Sequence, residues 1–103
     1  MRIMQGDSYP VPVEITQDGV MVTPEIVDDV EITIGKDIRK LYSTKDITFE
    51  SDTWYFLLTQ QETFSMSGSY EVICRLKYPV TGYTHGIRIG NLSVTEIEQK
   101  EVL

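Results

Sequence analysis

Cysteine and histidine are almost missing from this chain: Cys74 and His85 stand alone among 103 residues. A lone thiol closes no internal disulfide, which argues for folding in a reducing compartment. One histidine and one cysteine cannot build a zinc site within one chain. A nucleophile also has no ready base: His85, beside Gly86 at a strand start, reads as an exposed loop residue without an orienting carboxylate. Cys74 falls on the apolar face of a strand pattern, where a thiolate is disfavoured and a small core residue is expected. Positive charge is scarce too. Nine Lys and Arg face sixteen Asp and Glu, a formal net charge of −7. Such a chain repels a phosphate backbone, so no nucleic acid partner is expected. The basic pairs Arg39/Lys40 and Arg75/Lys77 read as solvated strand faces. No apolar run approaches the ~20 residues of a membrane helix, and the N-terminus lacks the apolar stretch of a secretory signal. No glycine-rich phosphate loop is present. These absences predict no enzyme, no cofactor, no bound metal and no membrane association.

What remains is a well-patterned globular chain, 41% hydrophobic. Its length fits one domain, 1–103, able to fold without metals or disulfides. Residues 9–15 alternate, with Val11, Val13 and Ile15 on one face. Pro10 and Pro12 confine that strand to an edge. Asp18-Gly19 is a hairpin turn signal. Residues 27–34 put Val30, Ile32 and Ile34 inward and Asp29, Glu31 and Thr33 outward. Gly35-Lys36-Asp37 turns the chain into 38–42, and 47–49 forms another short strand. Residues 53–58, dense in aromatics, read as a strand buried on both faces at its centre. Residues 79–82 close a hairpin whose return arm, 84–89, points Ile87 and Ile89 inward. A bulge is expected at Gly90-Asn91, where the apolar parity resumes at Leu92 and Val94. The tail, 99–103, reads as either frayed or docked. The acidic group Glu25, Asp28, Asp29 and Glu31 lacks the spacing and turn glycine of a calcium loop, and reads as a solvated edge that discourages stray strand pairing.

The most informative stretch runs from Leu58 to Tyr78. Thr59 and Glu62 have capping-box spacing, which nucleates one helical turn. Gly68 permits a tight turn. Tyr70, Val72, Cys74, Leu76 and Tyr78 then follow at period two, the signature of a long strand. Gly68-x-Tyr70-x-Val72 resembles the tyrosine corner of immunoglobulin-type domains, in which the phenol ties a corner back to the backbone. Roughly seven to nine short strands with turn signals every ~8–12 residues predict an all-β, immunoglobulin-like antiparallel sandwich with one short helical turn. A small closed barrel is the alternative.

Ten aromatics are more than so small a core needs: six tyrosines, three phenylalanines and one tryptophan. Trp54, Tyr55, Tyr42 and Tyr83 fall at turns or strand ends, where rigid rings supply contact area at low entropic cost. The candidate partner contacts are therefore the edge strand, through Tyr9, Val11 and Val13, and the aromatics Trp54, Tyr55 and Tyr83.

The opening QGDSYPVPVEITQDG and the blocks VDDVEITIG, WYFLLTQQETF and GSYEVICRLKYP resemble the N-terminal immunoglobulin-like domain of upper baseplate proteins in tailed phages of Gram-positive bacteria. The resemblance spans nearly the whole chain, although its motifs are mostly those of the fold. It implies a non-enzymatic structural protein of a phage or prophage tail or baseplate, a virion component made in the bacterial cytoplasm. Its partners would be other tail proteins or further copies of itself. In that family a longer C-terminal part carries the receptor-binding attachment; here the sequence stops at Leu103. A carbohydrate-binding or host-surface recognition module, stacking sugars on Trp54, Tyr55 or Tyr83, is the alternative.

Overall fold

The alternation of apolar residues resolves into two packed sheets in the computed structural model, which describes residues 1–98. The tail 99–103 lies outside the described residues. Ten strands and one short helix run in the order β1 (Arg2–Met4), β2 (Tyr9–Val13), β3 (Thr16–Gln17), β4 (Val20–Met21), β5 (Asp29–Ile34), β6 (Ile38–Leu41), β7 (Ile47–Glu50), β8 (Thr53–Leu58), α1 (Gln60–Phe64), β9 (Gly68–Lys77) and β10 (Thr84–Thr95). One sheet has the order β1-β10-β9-β5-β6 and the other β2-β8-β7, while β3 and β4 form a separate hairpin. Removing that hairpin leaves the immunoglobulin pattern: β2-β8-β7 stand for strands B, E and D, and β10-β9-β5-β6 for G, F, C and C′. The chain is an all-β, immunoglobulin-like sandwich.

Period-two strands bury one face each, and the two inner faces meet in one core. Val11, Val13, Ile47, Trp54, Phe56 and Leu58 come from the smaller sheet; Val30, Ile32, Ile34, Val72, Cys74, Leu76 and Leu92 come from the larger. Each fully buried large side chain contributes about 1.5–3 kcal/mol. In antibody domains a strand C tryptophan packs on a disulfide. Here Trp54 enters from β8 and Cys74 stays a free buried thiol. Burial, reinforced by the charge of Glu31, pushes that thiol up to about 12.

The corner between β8 and β9 forms as the residues dictate. Thr59 caps α1: its hydroxyl accepts from the Glu62 amide at 3.2 Å, and the Glu62 carboxylate accepts from the Thr59 amide at 2.9 Å. Lys40 reaches across from β6 and donates to both Glu62 oxygens at 2.8 Å. Tyr70 does tie the corner back, its hydroxyl accepting from the Ser67 amide at 2.9 Å. The ring lies over Gly35, where an added Cβ would come within 2.9 Å of Tyr70 Cδ1.

The structure departs from the pattern in four places. The edge strand ends at Val13 rather than residue 15; Ile15 is buried and its carbonyl instead accepts from Val22 in the hairpin base. The strand expected over 27–34 starts at Asp29. Residues 53–58 are buried on one face only, because no described element covers the outer side of the small sheet: Tyr55 is half-buried and Leu57 exposed. The first residues, which carry little pattern, form β1, parallel to β10 with Arg2 opposite Ser93. The expected bulge is present, with the β10–β9 register slipping between Arg88 and Gly90.

Candidate interaction surface

Four connections crowd one end of the sandwich: the long β2–β5 link that carries the β3–β4 hairpin, the β6–β7 loop, the tight β7–β8 turn at Ser51-Asp52 and the β9–β10 turn. The first is rooted by Trp54, whose indole N–H donates to the Val22 carbonyl at 2.7 Å. Asp18-Gly19 makes the reversal, with φ of 52° and 77°, and places Gln17 opposite Val20. Asp29 pins the β6–β7 loop by accepting from the Ser43 amide at 3.0 Å and hydroxyl at 2.9 Å. The β9–β10 turn closes through the Tyr78 amide on the Tyr83 carbonyl, 2.9 Å. The Tyr78 hydroxyl donates to the Gln17 side chain, so the two hairpins stand side by side.

This end displays apolar side chains that no described residue covers. Val80 is 96% exposed and Tyr83 67%, with Val20, Met21 and Ile26 exposed on the neighbouring connection. A β hairpin tip cannot bury such residues against its own sheet, so they stay open to a partner. Around them stand Asp18, Glu25 and Asp28, against which Lys77 makes one loose pair, 3.9 Å from Asp28. The patch is apolar with an acidic rim.

Of the predicted contact residues, the structure brings out only part. Tyr83 is on this patch, and Tyr9 is exposed near the opposite end of β2. Tyr55 is half-buried on the outer face of the small sheet. Val11, Val13 and Trp54 are corrections: all three are buried, since their side chains fill the inner face while Pro10 and Pro12 take the outer one. Trp54 belongs to the site only as the anchor of the β3–β4 hairpin, packed edge-on to Tyr42 with centroids 5.4 Å apart. Sequence reasoning missed Val80, Val20, Met21 and Ile26. The signal was there: arms of two residues beside Asp18-Gly19 are too short to reach a core.

No catalytic constellation assembles among the described residues. His85 packs edge-on to Tyr78, centroids 5.9 Å apart, with no carboxylate hydrogen-bonded to it. No group of three or more His, Cys, Asp or Glu is placed to hold a metal among the described residues. Asp28 and Asp29 are engaged with Lys77 and Ser43, and Glu31 is held elsewhere.

Glu31 lies on the outer face of the larger sheet, nearly buried beneath two arginines. Arg75 donates through Nη2 at 2.8 Å from β9, and Arg39 donates through Nε from β6. These basic residues, read from sequence as a solvated face, make a clamp. The Arg75 hydrogen bond, aided by Arg39, outweighs burial and holds the Glu31 carboxyl below its ordinary value of 4.5. The clamp also explains why four cations on one sheet face leave no basic patch: Arg88 pairs with Glu71 at 3.3 Å and Lys77 with Asp28.

Comparison of this chain with protein families, curated proteins and solved structures finds no match.

Proposed function

We propose that this protein is a non-enzymatic assembly module of a phage or prophage tail or baseplate, working through protein–protein contacts. The observation that carries the assembly reading is the set of exposed apolar side chains on two adjoining hairpins, Val80 and Tyr83 on one and Val20 on the other, joined through Tyr78 and Gln17. A rigid sandwich that holds such side chains clear of its core presents them at little cost in conformational entropy. The acidic rim favours a partner surface with an apolar centre and basic surround. The tail assignment is supported by the sequence resemblance alone.

The reading is tested in particles purified from the phage-producing host. Mass spectrometry is expected to find the chain in fixed ratio to tail proteins. Val80→Asp with Tyr83→Ala is expected to strip it from particles while leaving thermal stability within ~1 kcal/mol, as for exposed sites. Absence from particles would remove the tail role, and a large loss of stability would place these residues in the fold instead. For sugar stacking, Tyr83 is the fully presented ring of the three once named, so Tyr83→Ala is also the variant to test against bacterial cell-wall polysaccharides.

A further inference from the structure

The larger sheet has an edge that β1 covers only in part. β1 lies against Ser93, Val94 and Thr95 of β10, and the Met1 amine and carbonyl extend the contact to Asn91 and Ser93. Above that point, from Thr84 to Gly90, no described strand pairs with β10 on this side.

Backbone parity fixes which groups are left open. The Lys77 carbonyl accepts from Asp28 and the Ile73 carbonyl from the Thr33 hydroxyl, so both point toward β5. Their β10 partners, Thr84 and Arg88, therefore sit at pairs that exchange no hydrogen bonds with β9. Thr84, Gly86 and Arg88 thus aim their N–H and C=O groups away from the sheet. Below the bulge, Asn91, Ser93 and Thr95 do the same, and there the groups are met by Met1 and Gln5. The open rail is a continuation of one already used for strand pairing.

A groove of about 400 Å³ lies beside that rail, between β10 and the edge strand β2 of the other sheet. Pro12, Val13, Ile87 and Ile89 supply its apolar part, beside the polar side chains of Glu14, Thr16 and Arg88. The facing β2 edge cannot serve as a second template. Leu57, opposite Pro10, donates to Asp46 of the β7 side, so Pro10 and Pro12 occupy the outward-pointing positions and offer no N–H. An added strand would pair with β10 alone and drop alternate side chains into the groove.

We propose that the Thr84–Arg88 edge of β10 takes up an extended segment of another polypeptide as an additional strand, with apolar residues at alternate positions facing the groove. Main-chain hydrogen bonds to three outward residues supply the pairing, and the net charge of −7 on each copy disfavours a second copy of this acidic chain as the added strand. The inference rests on the assembly reading but uses a different surface from the hairpin patch.

The test is a titration of isotope-labelled protein with a ten-residue peptide of alternating valine and lysine, capped at both ends, followed by amide spectra and hydrogen exchange. Binding is expected to shift the Thr84, Gly86 and Arg88 amides and slow their exchange at least tenfold. The same peptide with alternate backbone nitrogens methylated, and the Gly86→Pro protein, are expected to bind at least tenfold more weakly. The methylated peptide leaves the protein fold untouched, so its loss of binding cannot be a folding defect. Unshifted edge amides at millimolar peptide, or equal binding of the methylated peptide, would overturn the proposal. So would a dimer that protects these amides without peptide. Shifts confined to Val80 and Tyr83 would overturn the edge proposal while leaving the assembly reading standing.

Discussion

Single residues hold this fold at points where no neighbour could substitute. Gly35 has φ of +61° and lies under the Tyr70 ring. Gly35→Ala meets both a disfavoured backbone region and a contact of 2.9 Å. A loss of about 2–3 kcal/mol is expected in chemical denaturation. Glu31 gives a pH dependence of known sign. Its folded carboxyl, like that of Glu62, titrates below the ordinary 4.5. Burial opposes the charge of Glu62, but the bonds from Lys40 and Thr59 outweigh it. A depressed folded value means the stabilisation is fully present above about pH 4.5 and is lost as pH falls through the lower folded values. Thermal melts are expected to drop below that pH, with a shallower drop in Glu31→Gln than in the native chain. A native thiol pushed up to about 12 is expected to ignore a thiol reagent at pH 8 until denaturant is added.

At the scale of the element, one short helix ties β6 to the β1–β2 turn. α1 is only five residues long, too short to persist alone. Its capping box supplies the local nucleus, Lys40 binds its carboxylate from β6, and Thr63 is buried against the β1–β2 turn. The Thr63 hydroxyl accepts from the Gly6 amide at 2.9 Å and donates to the Asp7 carbonyl at 3.0 Å. Thr59→Ala is expected to cost about 1 kcal/mol. Lys40→Met, which leaves Glu62 without its cation, is expected to depress stability further at pH 7 than at pH 4. The β3–β4 hairpin depends on the core in the same way, through the Trp54 indole. Trp54→Phe is expected to speed hydrogen exchange at Val22 more than at the core strands, since it removes the bond that roots the hairpin.

Across the whole molecule, the two sheets protect their edges by different means. β2 relies on Pro10 and Pro12, which remove the outward donors. β10 is covered over its lower half by β1, and no described strand pairs with it above. Replacing both prolines with threonine is expected to leave the fold intact and to raise self-association, measurable by light scattering across concentration. The charge pattern also divides by face. The larger sheet carries clamped ion pairs, whereas the smaller presents Pro10, Pro12, Tyr55 and Leu57. The molecule extends 48 Å in its longest direction and about 22 Å across, as the long β9–β10 hairpin carries Val80 and Tyr83 to one extremity.

Much of the architecture was legible in the residues alone, because it depends on local rules. Period-two alternation marked the core strands, and the prolines marked an edge. Thr59 with Glu62 marked the helical turn, Asp18-Gly19 a hairpin, and Gly68-x-Tyr70 a corner. Each signal is set by backbone sterics or hydrogen bonding within a few positions. What required the tertiary structure was every property that depends on a distant strand. Trp54 and Val13 look like strand-end contacts until a second sheet closes over them. Arg39 and Arg75 are as exposed as their pattern suggests, but their shared carboxylate, Glu31, is found only once β5 lies between their strands, and Lys40 looks solvated until α1 brings Glu62 within reach and buries it. β1 has no pattern of its own because its partner, β10, lies at the other end of the chain. The unpaired rail at Thr84, Gly86 and Arg88 is visible only once β1 is seen to pair with the far end of β10.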